Sequence, residues 1–212
     1  MTSEGLDEPR EFWWDTLERI FASASPVPAV LELRLGGRSL TWRTGTQAER
    51  AAAHRTIHDA LVHASLADRQ AVLARVMEWS GLRLPPRDSH RPVTGPELSE
   101  LATRPGHAIG AHTVHHLHLP SQPLEVQRRE IDECQAQLQR WLGYPVRTFA
   151  YPYGAVNPET TVVVRAASFQ VAVTADGGLV QPGTDPVLVP RIEISPAVAA
   201  RFPGYLQAFF GR

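Results

Sequence analysis

Apolar positions over the first ninety residues recur at helical spacing. Residues 11–24 put Phe12, Trp13, Leu17, Ile20 and Phe21 on one face, and Pro26 and Pro28 close the stretch, so the pattern predicts an amphipathic helix. Residues 29–35 and 38–43 then flank Gly36-Gly37, a two-residue connection whose glycines permit the positive φ of a tight hairpin. Two further amphipathic helices are predicted over 47–64 and 66–79, stopped by Gly81 and by Pro85-Pro86. Residues 1–90 therefore read as a mostly helical subdomain with one small hairpin.

Beyond residue 90 short apolar runs alternate with helical periods. Thr94 with Glu97 has the spacing of a capping box and opens a short helix through residue 102. A strand is predicted over 108–111, and a long helix over 122–142 is closed by Gly143. A second strand over 146–150 runs into Tyr151-Pro152-Tyr153-Gly154. Asn157-Pro158 caps a helix through 167, because proline in the first turn forfeits no hydrogen bond. Strands over 170–174 and 187–194 complete the series. This alternation predicts an α/β unit over 91–212 with a parallel sheet or barrel, whose reactive groups gather at the carboxyl ends of the strands.

Composition narrows the function classes. The chain has 212 residues, 43% of them hydrophobic, enough for one domain with a sizeable core. A formal net charge of -1 gives no basic field for nucleic acid. No run reaches the ~18 apolar residues of a membrane span, and the first ten residues lack the basic start and apolar stretch of a secretory signal, so a cytoplasmic location is expected. The single cysteine, Cys134, excludes an internal disulfide and a cysteine-rich zinc module, and its helical setting predicts ordinary packing.

Five of the nine histidines fall between His107 and His118. Neutral imidazole is the commonest side-chain metal ligand, and two rings four residues apart can face one ion when the chain turns between them. That places a candidate metal site directly after one predicted strand, while Tyr151-Pro152-Tyr153-Gly154 follows the next. His107, before the strand, is expected to be structural, and His115 and His118 to face solvent or substrate. His54, His58 and His63 are expected on a solvated helix face, and Trp13 and Trp14 either in the core or stacked on a sugar.

The string from Pro105 to Leu119 containing His112-Thr113-Val-His115-His116, followed by Phe149-Ala-Tyr151-Pro152-Tyr153-Gly154, resembles the polysaccharide deacetylases with a NodB-like domain, carbohydrate esterase family four. The resemblance covers roughly residues 90–195. It implies an α/β fold of the incomplete or distorted (β/α) barrel type, carried by residues 91–212 beside the helical subdomain. It also implies a divalent metal, usually zinc, and hydrolysis of N-acetyl groups from the amino sugars of a polysaccharide or glycoconjugate. On that pattern His112 and His116 are metal ligands and Thr113 braces the loop between them. Tyr153 is catalytic through its backbone N–H on the oxyanion, and Pro152 holds the substrate-side loop rigid. Arg191, outside that pattern, is read from its strand-end position as a contact for substrate or an acidic partner, or else as half of a surface ion pair.

The family's first motif, Thr-Phe-Asp-Asp-Gly, supplies a base and the third metal ligand, and this chain has no Asp-Asp pair. Met1 is accordingly expected to begin inside a longer domain, leaving a sheet edge open to self-association. Ala150 stands in place of an arginine, and Val189-Pro190-Arg191-Ile192 in place of the Leu-x-His motif, so no general acid is identified. Asp176 and Asp185 are the nearest carboxylates that could substitute. Two alternatives stay open: a catalytically incomplete domain with a binding or accessory role, and an amidohydrolase of small cyclic amides.

Overall fold

Gly36 and Gly37 both adopt positive φ, 55° and 80°, and close an antiparallel hairpin of β1 (Val30–Leu35) and β2 (Arg38–Arg43) in which Leu35 faces Arg38. This is the two-residue turn that the paired glycines demand. The computed structural model describes residues 1–8, 10–199 and 201–210. Leu31 and Leu33 point from the hairpin into a core formed by α1 (Trp13–Phe21), α2 (Gln47–His63) and α3 (Leu66–Ser80). Phe12 is the residue before α1, not part of its buried stripe. Thr46 and Glu49 form a capping box at the start of α2, Ser65 accepts from Asp68 N–H at α3, and Gly81 ends α3 in the left-handed conformation.

A second core lies over a short parallel sheet. Strand β3 (Thr148–Ala150) pairs in parallel with β4 (Val171–Val173), and single parallel bridges add Ala111 beside Phe149 and Val189 beside Val173. Four predicted strands thus appear as two three-residue strands and two bridges. The connections are the helix α5 (Leu124–Leu142) between Ala111 and β3, and α6 (Pro158–Ala166) between β3 and β4. Helix α4 (Gly95–Thr103) packs on α5, and α7 (Pro196–Ala199) and α8 (Phe202–Phe210) follow the last bridge. Capping occurs where the sequence predicts it: Thr94 with Glu97 at α4, Asn157 Oδ1 accepting from Thr160 N–H at α6, and left-handed Gly143 after α5. The result is an arc of α/β barrel, incomplete as expected.

The open edge expected beside Ala111 is partly filled from within the chain. Met1 N donates to Gly110 O, Ser3 N–H to Thr113 O and Glu4 N–H to Val114 O, and Leu6 joins the sheet-side core. Backbone groups that would recruit another chain at that edge are thereby engaged, so the ground for expecting self-association there falls away. Among the described residues no helix is long and apolar enough to cross a membrane.

Gly95, at the start of α4, lies against the indole of Trp141 on α5, where an added Cβ would sit 2.2 Å from Cε2. Overpacking of this kind costs roughly 1–3 kcal/mol. Gly95→Ala is therefore expected to lower the thermal midpoint by about 2–12 °C, read by calorimetry. An unchanged midpoint would contradict the α4–α5 contact.

Candidate metal and substrate site

The two strand ends that carry chemistry meet. Ala111 N–H donates to Thr148 O and Ala150 N–H to Ala111 O, which fixes the histidine loop beside the end of β3. Across that junction the His112 Nδ1 contacts Ala150 O at 2.6 Å. A carbonyl only accepts, so Nδ1 carries the proton and Nε2 holds the lone pair, the tautomer that a metal ligand needs. Ala150 thus orients His112 through its backbone carbonyl.

His116 lies with its ring centroid 4.7 Å from that of His112, at 74°. Its ring is flanked by Tyr153 at 4.6 Å and by Trp14, from α1, at 5.3 Å. Burial lowers the pKa of both His112 and His116 to about 4, with the neighbouring imidazole adding to the shift at His116. Both rings are therefore neutral, and available as donors, at physiological pH. The Nδ1 of His116 is buried with no hydrogen-bond partner among the described residues, a deficit worth roughly 1–3 kcal/mol unless something fills it.

The loop is held in a costly shape. Thr113 and His116 have φ of 65° and 52°, and Tyr153 has 60°. Left-handed backbone at non-glycine residues persists only where its surroundings enforce it, and clusters at functional sites. Thr113 is fully buried, but its Oγ1 has no partner among the described residues. It braces the loop by packing and through its carbonyl, not through its hydroxyl. Pro152 is buried and Tyr153 is 40% exposed. Among the described residues the Tyr153 backbone N–H has no partner, as a donor reserved for substrate would require.

Several histidines fall elsewhere than expected. His115 is half-buried and tied to α5: its Nδ1 and backbone N–H contact the two carboxylate oxygens of Glu130, at 2.6 and 2.8 Å. Burial opposes charge on His115, but the hydrogen bond and the charge of Glu130 outweigh it and raise the pKa. His54 and His58 lean on Phe21 and Trp13 rather than standing free on a solvated face. His63 crosses from α2 to the turn after the histidine loop, with Nδ1 3.1 Å from Ser121 Oγ and its ring 4.4 Å from His118. His107 is exposed and bonds only locally, to Pro105 O. The tryptophans divide: Trp13 is core, Trp14 borders His116.

Arg191 is exposed, donates through Nε to Thr174 O at 2.9 Å, and its charge helps to lower the His112 pKa. Asp185 pairs with Arg165 and accepts from Val187 N–H, and the backbone N–H of Asp176 donates to Thr174 Oγ1. Neither supplies a third ligand. Among the described residues no group of three His, Cys, Asp or Glu side chains could hold a metal ion. His112 and His116 are two neutral imidazoles side by side, and among the described residues the third ligand, which the resemblance assigns to aspartate, is absent.

Arg69 was not singled out by sequence reasoning. It lies on the buried face of α3, in phase with Val72 and Val76, and is 2% exposed. Nε donates to Leu61 O, Nη1 donates to His115 O, and the guanidinium lies 4.8 Å from the Trp13 ring centroid. It ties the helical layer to the histidine loop. An arginine at a position that helical periodicity assigns to the core is the signal that could have found it.

The polysaccharide deacetylase family pattern matches residues 68–172. Among solved structures, the deacetylase PplD of Streptococcus pyogenes, in complex with acetate, is 24% identical with a TM-score of 0.52, over 57% of this chain and 53% of that one. IcaB from Ammonifex degensii is 24% identical with a TM-score of 0.48, over 54% and 53%. BC0361, a polysaccharide deacetylase from Bacillus cereus, is 20% identical with a TM-score of 0.45, over 57% and 42%. The chain spans about half the length of the first of these. No curated protein matches. At this level of identity the likeness to PplD speaks for the fold, and it agrees with an incomplete α/β barrel.

Proposed function

We propose that this chain, a polysaccharide deacetylase by family pattern over residues 68–172, is a hydrolase that removes acetyl groups from the amino sugars of a polysaccharide or glycoconjugate. The observation that carries the reading is the neutral pair His112 and His116, 4.7 Å apart and bordered by Tyr153. These two rings would hold a divalent cation, zinc in the usual case. Such an ion polarises an amide carbonyl and lowers the pKa of bound water toward neutrality.

The chain's own residues do the rest. Ala150 O keeps His112 in the metal-binding tautomer, and Arg69 and Glu130 hold the loop from its other side through His115. The free N–H of Tyr153 is the oxyanion donor, a contribution of roughly 3 kcal/mol when well aimed. Pro152 fixes its approach, and Arg191, near His112, meets polar groups of the substrate.

One observation favours a second reading. With no third ligand and no Asp-Asp base among the described residues, the same site would bind an N-acetylated oligosaccharide without turning it over. Acetate release from N-acetylglucosamine oligomers, with zinc present, separates the two. Turnover that falls more than a hundredfold in His112→Ala and His116→Ala supports the hydrolase. Oligomer binding without acetate supports the binding domain, and neither binding nor release contradicts both.

A further inference from the structure

Arg69 is a buried cation that touches no carboxylate. Its hydrogen bonds run to the neutral carbonyls of Leu61 and His115, and its Nη2 is buried with no partner among the described residues. A buried charge is ordinarily paired, because the loss of its hydration is otherwise uncompensated. Burial pushes the Arg69 pKa down, and Tyr153, Glu4 and Glu130 offset this without forming an ion pair with it. Packing alone does not call for an arginine here.

The guanidinium borders a cavity of about 410 Å³ between α1 and α3, a volume that suits a small molecule. Trp13 borders the same cavity. Its indole Nε1 is also buried without a partner among the described residues, and its ring centroid lies 4.8 Å from the guanidinium carbon. Two N–H donors that lack acceptors are thus brought to one part of the lining. Leu66, Leu73, Met77 and Leu84 supply an apolar remainder.

The charges around the cavity fit a monoanion. Arg10, Arg19 and Arg69 line it, against Glu4 and Glu11. Glu11 is already held by Arg19 and Arg87, at 2.9 and 2.8 Å. With that group neutralised, Arg10 and Arg69 stand against Glu4, an excess of one positive charge.

We infer that this cavity binds a small organic carboxylate, whose oxygens accept from Arg69 Nη2 and Trp13 Nε1 while its apolar body lies against Leu73 and Met77. A carboxylate brings the missing countercharge and offers two acceptor oxygens to two donors. Arg69 Nη1 donates to His115 O, so an occupant fixes the same guanidinium that tethers the histidine loop. Occupancy of the cavity and order in that loop are thereby linked. The inference does not rest on the deacetylase reading.

Hexanoate titrated into isotope-labelled protein tests it, with the nuclear magnetic resonance signal of the Trp13 indole N–H, assigned through Trp13→Phe, as the readout. That signal should shift saturably. Hexanol, which has the same apolar chain and no charge, should bind at least tenfold more weakly. Arg69→Met should weaken hexanoate at least tenfold, and Leu73→Trp, which fills the cavity from a half-buried position, should abolish the shift. The absence of a saturable shift, equal affinity for the acid and the alcohol, or hexanoate binding unchanged in Arg69→Met or Leu73→Trp would each overturn the inference. Should Arg69→Met fail to fold, the alcohol and Leu73→Trp decide the question alone. None of these readouts involves zinc or acetate release, so failure at His112 and His116 leaves the result standing.

Discussion

Gly154→Ala is expected to lower stability by roughly 3 kcal/mol and acetate release by about a hundredfold, the largest effect foreseen for the removal of no functional group. Gly154 has φ of 69°, which costs a non-glycine residue about 1 kcal/mol or more. An added Cβ would lie 2.4 Å from Ala175 Cβ and 2.5 Å from Ala175 N. A backbone atom cannot swing aside, so overpacking adds roughly 1–3 kcal/mol, and the chain around residue 154 must move. Tyr153 is the adjacent residue, and a displacement of about 1 Å at a reacting centre costs on the order of a hundredfold in rate. Melting temperature and kcat measured together check this. A variant with wild-type values in both would show that the loop does not lie against Ala175.

Lowering the pH from 7 to 5 is expected to cost the metal-free protein several kcal/mol of stability. His112 and His116 have pKa values of about 4 in the folded protein, against 6.5 for an unperturbed ring, because burial opposes the charging of both and His112 further opposes the charging of His116. Below pH 6.5 the unfolded chain binds protons that the folded chain refuses, so stability falls as pH drops and levels off below about 4. The linkage gives roughly 2 kcal/mol per ring by pH 5, with the sum reduced by partial solvent contact and by coupling between the rings. His115 works in the opposite sense. Its raised pKa makes the Glu130 pair strongest below 6.5, and that contribution fades as pH rises through the folded value. Urea midpoints at pH 7 and 5 test the claim. The drop should shrink by about half in His112→Asn; a flat profile in the wild type would mean that the rings are not buried as neutral imidazoles.

The elements legible in the sequence were those specified by local chemistry. Gly36-Gly37 dictates the hairpin, Thr94 with Glu97 and Asn157-Pro158 dictate helix starts, and Gly81 and Gly143 dictate ends, since each acts through its own backbone or a bond three residues away. The convergence of His112 and His116 with Tyr153 was also legible, because parallel strands deliver their carboxyl ends to one rim. Less was visible where partners lie far along the chain. His115 reads as facing solvent or substrate until Glu130 arrives on α5, and the contact of the exposed His63 with Ser121 has no signal in the sequence around it. The filling of the Gly110–Val114 edge by Met1–Glu4 depends on backbone bonds with no side-chain signature. Strand lengths were overestimated because the apolar runs continue past the last ladder hydrogen bond, as at Val189, where a single bridge stands for a predicted strand.

The central claim is that His112 and His116 grip one cation beside Tyr153. It is tested most directly by titrating zinc into the metal-free protein by calorimetry. One equivalent should bind, and the change His116→Ala should remove it. Zinc uptake that is absent at the start, or that survives the loss of His112 and His116 together, would contradict the account.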